Sequence, residues 1–264
     1  MSRTERADWT ALYEDEDIWV VSKAAGLAVQ SRNHMQKDLE SELQKVRGGA
    51  PCFLIHRLDQ PVEGLMVVAK NKQAATELGR QLVGHELAKD YIAIATGGSW
   101  QERKGCLVHR LEKQAGMNRS EVVEAPRGKE AMLTYRVLDQ TEANPAETGA
   151  EAVAEQTAVK KTVVEGTAAT SNSLLYISLQ SGRHHQIRVQ LSAVGHPLLG
   201  DVKYGAEKLP SVKGPALCAC HLKFRHPRTK QEMEFGWLPR QSAFRDYRRI
   251  IEQWMFEEWR LTDV

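Results

Sequence analysis

The alternation of apolar and polar positions divides the chain into short strands with a few helices between them. From Trp9 to Val29, acidic turn residues precede the apolar run Ile18–Val21 and a glycine stands at position 26, which reads as strand, turn, strand. A polar helix is predicted over Asp38–Lys45, and Cys52–Ile55 forms a short apolar strand that leads straight into His56-Arg57-Leu58-Asp59. The strand Leu65–Ala69 follows closely. His56–Gly64 is thereby placed on a loop between two buried strands, where rigid frames commonly display reactive side chains. Asn71 caps a helix running to about Ala88, with Ala74, Leu78, Leu82 and Leu87 near one face, and a strand follows from Tyr91. Beyond Gly105 short strands dominate: Cys106–His109, Ala131–Leu138, Leu174–Leu179, Ile187–Leu191 and Ala216–Phe224. Phe244, Tyr247, Ile251 and Trp254 mark the apolar stripe of a helix over Ala243–Trp259. The sum is an α+β fold rich in strands.

One segment breaks the pattern. Asp139–Asn172 holds eight alanines, six threonines, no aromatic residue and six acids against two lysines, an acidic low-complexity insertion. Strands end at Leu138 and resume at Leu174, so the insertion is expected to lengthen a hairpin loop within one domain over residues 1–264. Composition agrees with a real core: of 264 residues 42% are hydrophobic and 27% charged. Four cysteines are too few for a disulfide scaffold, and the start MSRTERADW lacks the basic-then-apolar run of a secretory signal, so a cytoplasmic address is expected. Mean hydropathy is −0.46 and no apolar run reaches the ~18 residues of a membrane span, which argues against membrane insertion.

Net charge is only +2, but it is unevenly distributed. Between Tyr176 and Lys230 nine Lys/Arg face two acids, and five of the nine histidines fall there. Such a run is either a solvated basic face or a phosphate-tracking surface.

Two constellations could carry chemistry. Asp59 of His56-Arg57-Leu58-Asp59 could be a nucleophile, a base, a metal ligand or a loop cap, and Glu63 four residues on leaves a two-carboxylate hydrolase open. The second is SGRHHQIRVQLSAVGHPLLGDVKYG, Ser181–Gly205, where Gly182 allows a tight turn before Arg183, His184 and His185. Arg183 and Arg188 are five positions apart and would leave a helix on different faces. One guanidinium could pair with a buried aspartate and the other bind phosphate or solvent. Cys218 and Cys220 sit in the strand run LCACHLKF, the pattern of core thiols; no metal site is expected from their C-x-C spacing, and no nucleotide-cofactor motif occurs.

Together these motifs resemble the RluA-type pseudouridine synthases, which isomerise uridine to pseudouridine in ribosomal or transfer RNA. LYEDEDIWVVSKAAGL resembles the family's opening strand pair, HRLDQPVEGLMVVAK its catalytic loop, and KDYIAIATG its Lys-x-Tyr strand. GRHHQIRVQL with GHPLLGDVKYG resembles its arginine segment, and CHLKFRHPRTKQEMEF its closing strands. The match runs in order from about Leu12 to Pro239. It implies a mixed, mainly antiparallel sheet with flanking helices and a central cleft. Asp59 would be the catalytic aspartate, Tyr91 the ring that packs on the target uracil and helps in deprotonation, and Arg183 the partner of Asp59. His56, Arg57, Lys89, His185, Gln186 and Arg188 would bind substrate RNA. The resemblance further implies no cofactor, no metal and RNA as the partner; a monomer is expected. A catalytically silent RNA-binding protein of the same fold is the alternative.

The chain departs from the family pattern at three places: Val62-Glu63-Gly64 replaces Thr-Ser-Gly, Lys23-Ala24-Ala25-Gly26 replaces Lys-Pro-Ala-Gly, and Arg183-His184-His185-Gln186 replaces Arg-Thr-His-Gln. Glu63 would raise the pKa of a nearby Asp59 unless a cation offsets it. Too few residues precede Leu12 for the accessory N-terminal RNA-binding domain of many relatives, so none is expected.

Overall fold

The computed structural model describes residues 5–6, 8–31, 33, 35–141 and 171–259. The chain opens with strands β1 (Glu5–Arg6), β2 (Trp9–Glu14) and β3 (Ile18–Lys23). At the β2–β3 turn Asp15 Oδ1 accepts from the backbone N–H groups of Asp17 and Ile18, both at 2.8 Å, an Asx-type turn that explains the acidic punctuation. Helix α1 (Leu39–Val46) starts where Asp38 accepts from Ser41 N at 2.8 Å, and it is followed by β4 (Phe53–Leu54) and β5 (Glu63–Ala69). Helix α2 (Lys72–Val83) has Asn71 as its N-cap, then come β6 (Ala88–Ala95), β7 (Lys104–Lys113), β8 (Ser120–Val123), β9 (Lys129–Thr141) and β10 (Asn172–Leu179). Helix α3 (Gln186–Ala193), β11 (Leu217–Arg225), β12 (Glu232–Gly236) and α4 (Arg248–Trp259) complete the order.

The strands form a twelve-stranded sheet with the path β1-β2-β3-β5-β11-β6-β10-β9-β7-β8, β12 pairing β11 and β4 pairing β5. Every pair is antiparallel except β5 with β11, so the fold is α+β with a mixed, mainly antiparallel sheet. Both faces are covered. Tyr91, Ala93 and Ala95 of β6 join α1 and α3 in one core, while Ile92 and Ile94 face the opposite way toward Ile251 and Met255 of α4. Ala74 and Leu78 of α2 pack on Ile18, Val20, Leu65 and Val67 on that second face. This two-sided burial is why β5 reads as an unbroken apolar run.

The parallel join requires Gly64. Its φ of +126° is open to glycine, and a Cβ there would lie 2.3 Å from the carbonyl oxygen of Ala219, so only a bare backbone lets β11 cross beside the end of the Asp59 loop. Thr141 and Asn172 are paired across β9 and β10. Residues 142–170, most of the acidic insertion, lie outside the described residues.

Three predicted elements change. The strand expected at Ile187–Leu191 is helix α3; its apolar–polar alternation arises because Arg188 and Gln190 are buried by polar partners, so no solvent face marks the helical period. Helix α2 stops at Val83 instead of near Ala88, with Gly84 as its C-cap and His85 at φ +57°, and Ala88 already belongs to β6. The last helix is preceded by a separate 3-10 turn at Ser242–Phe244.

Candidate active site

Asp59 stands on the loop from β4 to β5, at a cleft of about 930 Å³ lined also by Tyr91 of β6 and by Arg183–Arg188 at the start of α3. Lys23, fully buried at the end of β3, holds this loop. Its Nζ donates to the carbonyl oxygens of Leu27 (2.8 Å), Ala24 (3.0 Å) and Gln60 (3.2 Å), tying the residue after Asp59 to the opening strands. Burial pushes the Lys23 ammonium down to about 8 against the pull of Asp59 and Glu63.

The cation paired with Asp59 is Arg188, whose Nη1 donates to Asp59 Oδ2 at 3.0 Å. On its other side Arg188 forks onto Asp201, with Nε–Oδ2 and Nη2–Oδ1 both 2.7 Å. Burial opposes the charge on this guanidinium, but Asp201 and Asp59 outweigh it and raise its pKa further. The expected pairing of Asp59 with Arg183 is therefore corrected. Arg183 lies on the exposed turn before α3 and sends its Nε to the carbonyl oxygen of Glu130 at 2.9 Å, whereas the helix turns Arg188 inward. Asp201 and Tyr204 escaped the residue-level reading. The signal was an arginine flanked by Ile187 and Val189 in a run that buries, which demands a carboxylate partner.

Tyr91 is buried at the cleft, and desolvation first, then the charge of Asp59, raise its phenol pKa, so it stays protonated. His56 Nε2 accepts from Val67 N at 3.3 Å, which places the ring proton on Nδ1, a buried donor with no hydrogen-bond partner. The side chain of Lys89 lines the same cleft and makes no hydrogen bond or ion pair with the described residues; burial lowers its pKa. Arg57 is exposed at the rim. His185 is buried with Nε2 3.4 Å from Asp59 Oδ2. Gln186 braces the turn: its Oε1 accepts from Ser181 Oγ (2.8 Å) and Arg183 N (3.0 Å), and its Nε2 donates to Met132 O (3.0 Å).

Glu63 points away from this cleft. Its Oε1 accepts from the backbone N–H groups of Arg240 (3.0 Å) and Gln241 (2.9 Å), and burial raises its pKa. The basic run is likewise divided by the fold: Lys223 meets Glu232 at 2.8 Å, Arg228 meets Asp17 at 2.6 Å and Lys230 meets Glu77 at 3.1 Å. Arg57, Lys89 and Arg183 line the cleft and pair with no acid among the described residues.

Two histidines make the site sensitive to acid. Burial pushes His56 down to about 3, and burial with the charge of Arg188 pushes His185 down to about 2, from an ordinary 6.5. Both folded values lie below the unfolded one, so the unfolded chain takes up protons first as pH falls below 6.5 and stability is lost from there toward pH 3. We expect each to cost about 2 kcal/mol between pH 7 and pH 5. Denaturant midpoints at the two pH values check this, and equal midpoints would contradict it.

Among the described residues, Asp15, Asp17 and His226 bring ligand-type atoms within 4.8 Å of one another. They form a closed clasp. His226 Nδ1 accepts from the N–H groups of Arg228 (3.2 Å) and Thr229 (3.1 Å), so Nε2 carries the proton that Asp15 accepts at 2.7 Å and no ring lone pair is left for an ion.

The chain is similar to known proteins. The chain is 29% identical over 239 residues to an uncharacterised RNA pseudouridine synthase, YlyB, of Bacillus subtilis (strain 168), covering 88% of this chain and 69% of the relative. It is 30% identical over 233 residues to a ribosomal large subunit pseudouridine synthase D of Nitrosomonas europaea, covering 83% of this chain but 59% of that relative, less than two thirds of its length. The structure of human RNA Pseudouridylate Synthase Domain Containing 1 shares the fold, with a TM-score of 0.64 at 22% identity over 90% of this chain and 86% of that one. The family model for RNA pseudouridylate synthase matches residues 17–193, from the β2–β3 turn through Asp59 and Tyr91 to the end of the helix that carries Arg188, and the chain therefore belongs to the RluA-type RNA pseudouridylate synthases, a family of isomerases.

Proposed function

We propose that this chain isomerises a uridine of ribosomal or transfer RNA to pseudouridine with Asp59 as the reacting carboxylate, Arg188 as its charge partner and Tyr91 as the ring against the target base. The observation that carries this reading is the Asp59 carboxylate at a nucleotide-sized cleft, with Oδ2 held by a buried guanidinium and Oδ1 without a partner among the described residues. The reaction breaks the bond from ribose carbon 1 to ring nitrogen 1, turns the uracil, and rejoins it through carbon 5, whose hydrogen leaves as a proton while nitrogen 1 gains one. Nothing is oxidised and no atom is added, so the chemistry calls for no cofactor. It calls for an ionised carboxylate able to act covalently or as a base, in a site that retains the freed ring.

Arg188 places a fixed positive charge 3.0 Å from Asp59 Oδ2. The target uridine has to leave its stack to bring its glycosidic bond to Asp59, and the aromatic face of Tyr91 replaces lost stacking, worth about 1–3 kcal/mol per base. The unpartnered donors His56 Nδ1–H and Lys89 Nζ are suited to oxygen acceptors of the nucleotide, and Arg57 and Arg183 to flanking phosphates.

Tritium release from RNA labelled at uracil carbon 5 tests the reading. The protein should release label from ribosomal or transfer RNA; folded protein that binds RNA yet releases none would favour the silent RNA-binding alternative. Glu63→Gln should release label at close to the wild-type rate, because the amide oxygen can still accept from Arg240 and Gln241. Collapse of that variant would instead revive a two-carboxylate mechanism.

A further inference from the structure

The N–H of Ser120, the first residue of β8, donates to the hydroxyl oxygen of Tyr204 at 2.9 Å. That leaves the Tyr204 hydroxyl hydrogen free for His185 Nδ1, 2.7 Å away. If Nδ1 accepts, the proton of a neutral imidazole sits on Nε2, which faces Asp59 Oδ2 at 3.4 Å. The opposite tautomer would set an Nε2 lone pair against a carboxylate and leave the tyrosine hydrogen unused. The ring plane is held as well. His184 stacks on His185 with centroids 3.8 Å apart, and is itself fixed by Ser120 Oγ (2.8 Å) and Asn118 Oδ1 (3.0 Å).

Resting on the reading of Asp59 as the reacting carboxylate, we propose that Tyr204 is a positioning residue: through His185 it directs a second donor onto Asp59 Oδ2, already held by Arg188, and leaves Oδ1 as the oxygen that reacts. The 3.4 Å separation is longer than a closed hydrogen bond, and such contacts tighten when substrate fills the site. The guanidinium of Arg188 lies 5.0 Å from the Tyr204 ring centroid, so the same side chain borders both donors to Oδ2. The relay also ties the β7–β8 hairpin to the reacting group.

Long-range proton–nitrogen NMR of 15N-labelled protein reads the tautomer directly, the His185 signals being identified by their loss in His185→Gln. Wild type should carry its His185 proton on Nε2, and Tyr204→Phe should move protonation toward Nδ1. The same variant should lower kcat about tenfold, the scale of one hydrogen bond to a charged group, with KM for RNA within about twofold. His185→Gln places an amide donor near the Nε2 position and should be indifferent to a further Tyr204→Phe change. An Nδ1–H tautomer in wild type would overturn the proposal, as would a Tyr204→Phe variant with unchanged kcat or with its loss confined to KM. Absence of tritium release from wild type would defeat the activity reading instead, and the tautomer would still decide this one.

Discussion

Asp59→Asn is expected to abolish tritium release while leaving the fold intact. The side chain keeps its shape, and its amide oxygen can still accept from Arg188 Nη1, which now sits 3.0 Å from Asp59 Oδ2. What disappears is the negative oxygen that can bond to ribose carbon or take a proton, and Glu63, the carboxylate four residues on, is committed to backbone N–H groups. Loss of a reacting group of this kind lowers kcat by a factor on the order of 10⁴ or more. Asp59 is 25% exposed at its side chain, so solvent screens part of the lost ion pair and the stability change should stay near about 1 kcal/mol or less. Label release and thermal melting of the variant are the measurements. Residual turnover near wild type in a folded protein would remove Asp59 from the reaction.

The second large effect separates the two arginines. Arg188→Met should lose both activity and stability, because Asp201 is 1% exposed and would keep a buried charge with no cation, at a cost of about 3–5 kcal/mol. Asp59 would lose the guanidinium that holds its Oδ2. Adding Asp201→Asn to Arg188→Met should recover much of the stability without activity, since the orphaned buried charge goes but Asp59 remains alone. Arg183→Met removes an exposed side chain bonded to one carbonyl oxygen, so its stability should hold within about 0.5 kcal/mol and its defect should fall on KM for RNA. Urea unfolding and steady-state kinetics on both variants decide the matter. A dead Arg183 variant beside an active Arg188 variant would return the pairing to Arg183.

The difference between these arginines shows where local reading runs out. In SGRHHQIRVQL both are equally plausible partners for a carboxylate, and the alternation Ile187-Arg188-Val189-Gln190-Leu191 reads as a strand. The pattern arises because Arg188 and Gln190 are buried polar residues, the first bonded to Asp59 and Asp201 and the second to the carbonyl oxygens of Leu107 and Ala131. Binary patterning assumes that polar means exposed, and it fails where the interior supplies the partners. The same cause hid Lys23, whose three carbonyl acceptors lie on two separate loops. The basic run stayed open for the opposite reason: its charges are real, but Glu232 of the adjoining strand neutralises Lys223, and Asp17 and Glu77 from distant segments neutralise Arg228 and Lys230.

The sequence by itself determined the ordered motifs, most of the strands and the placing of Asp59 on a loop between buried strands, because apolar periodicity and turn chemistry act over a few neighbouring residues. Only the tertiary structure decided which guanidinium meets that carboxylate, that Glu63 turns aside, and that Tyr204 reaches His185. Asp59 and Arg188 are 129 residues apart, and nothing local relates them; their pairing follows from β11 crossing at Gly64 and from the helix that turns Arg188 inward, and it is set by the packing of the whole sheet.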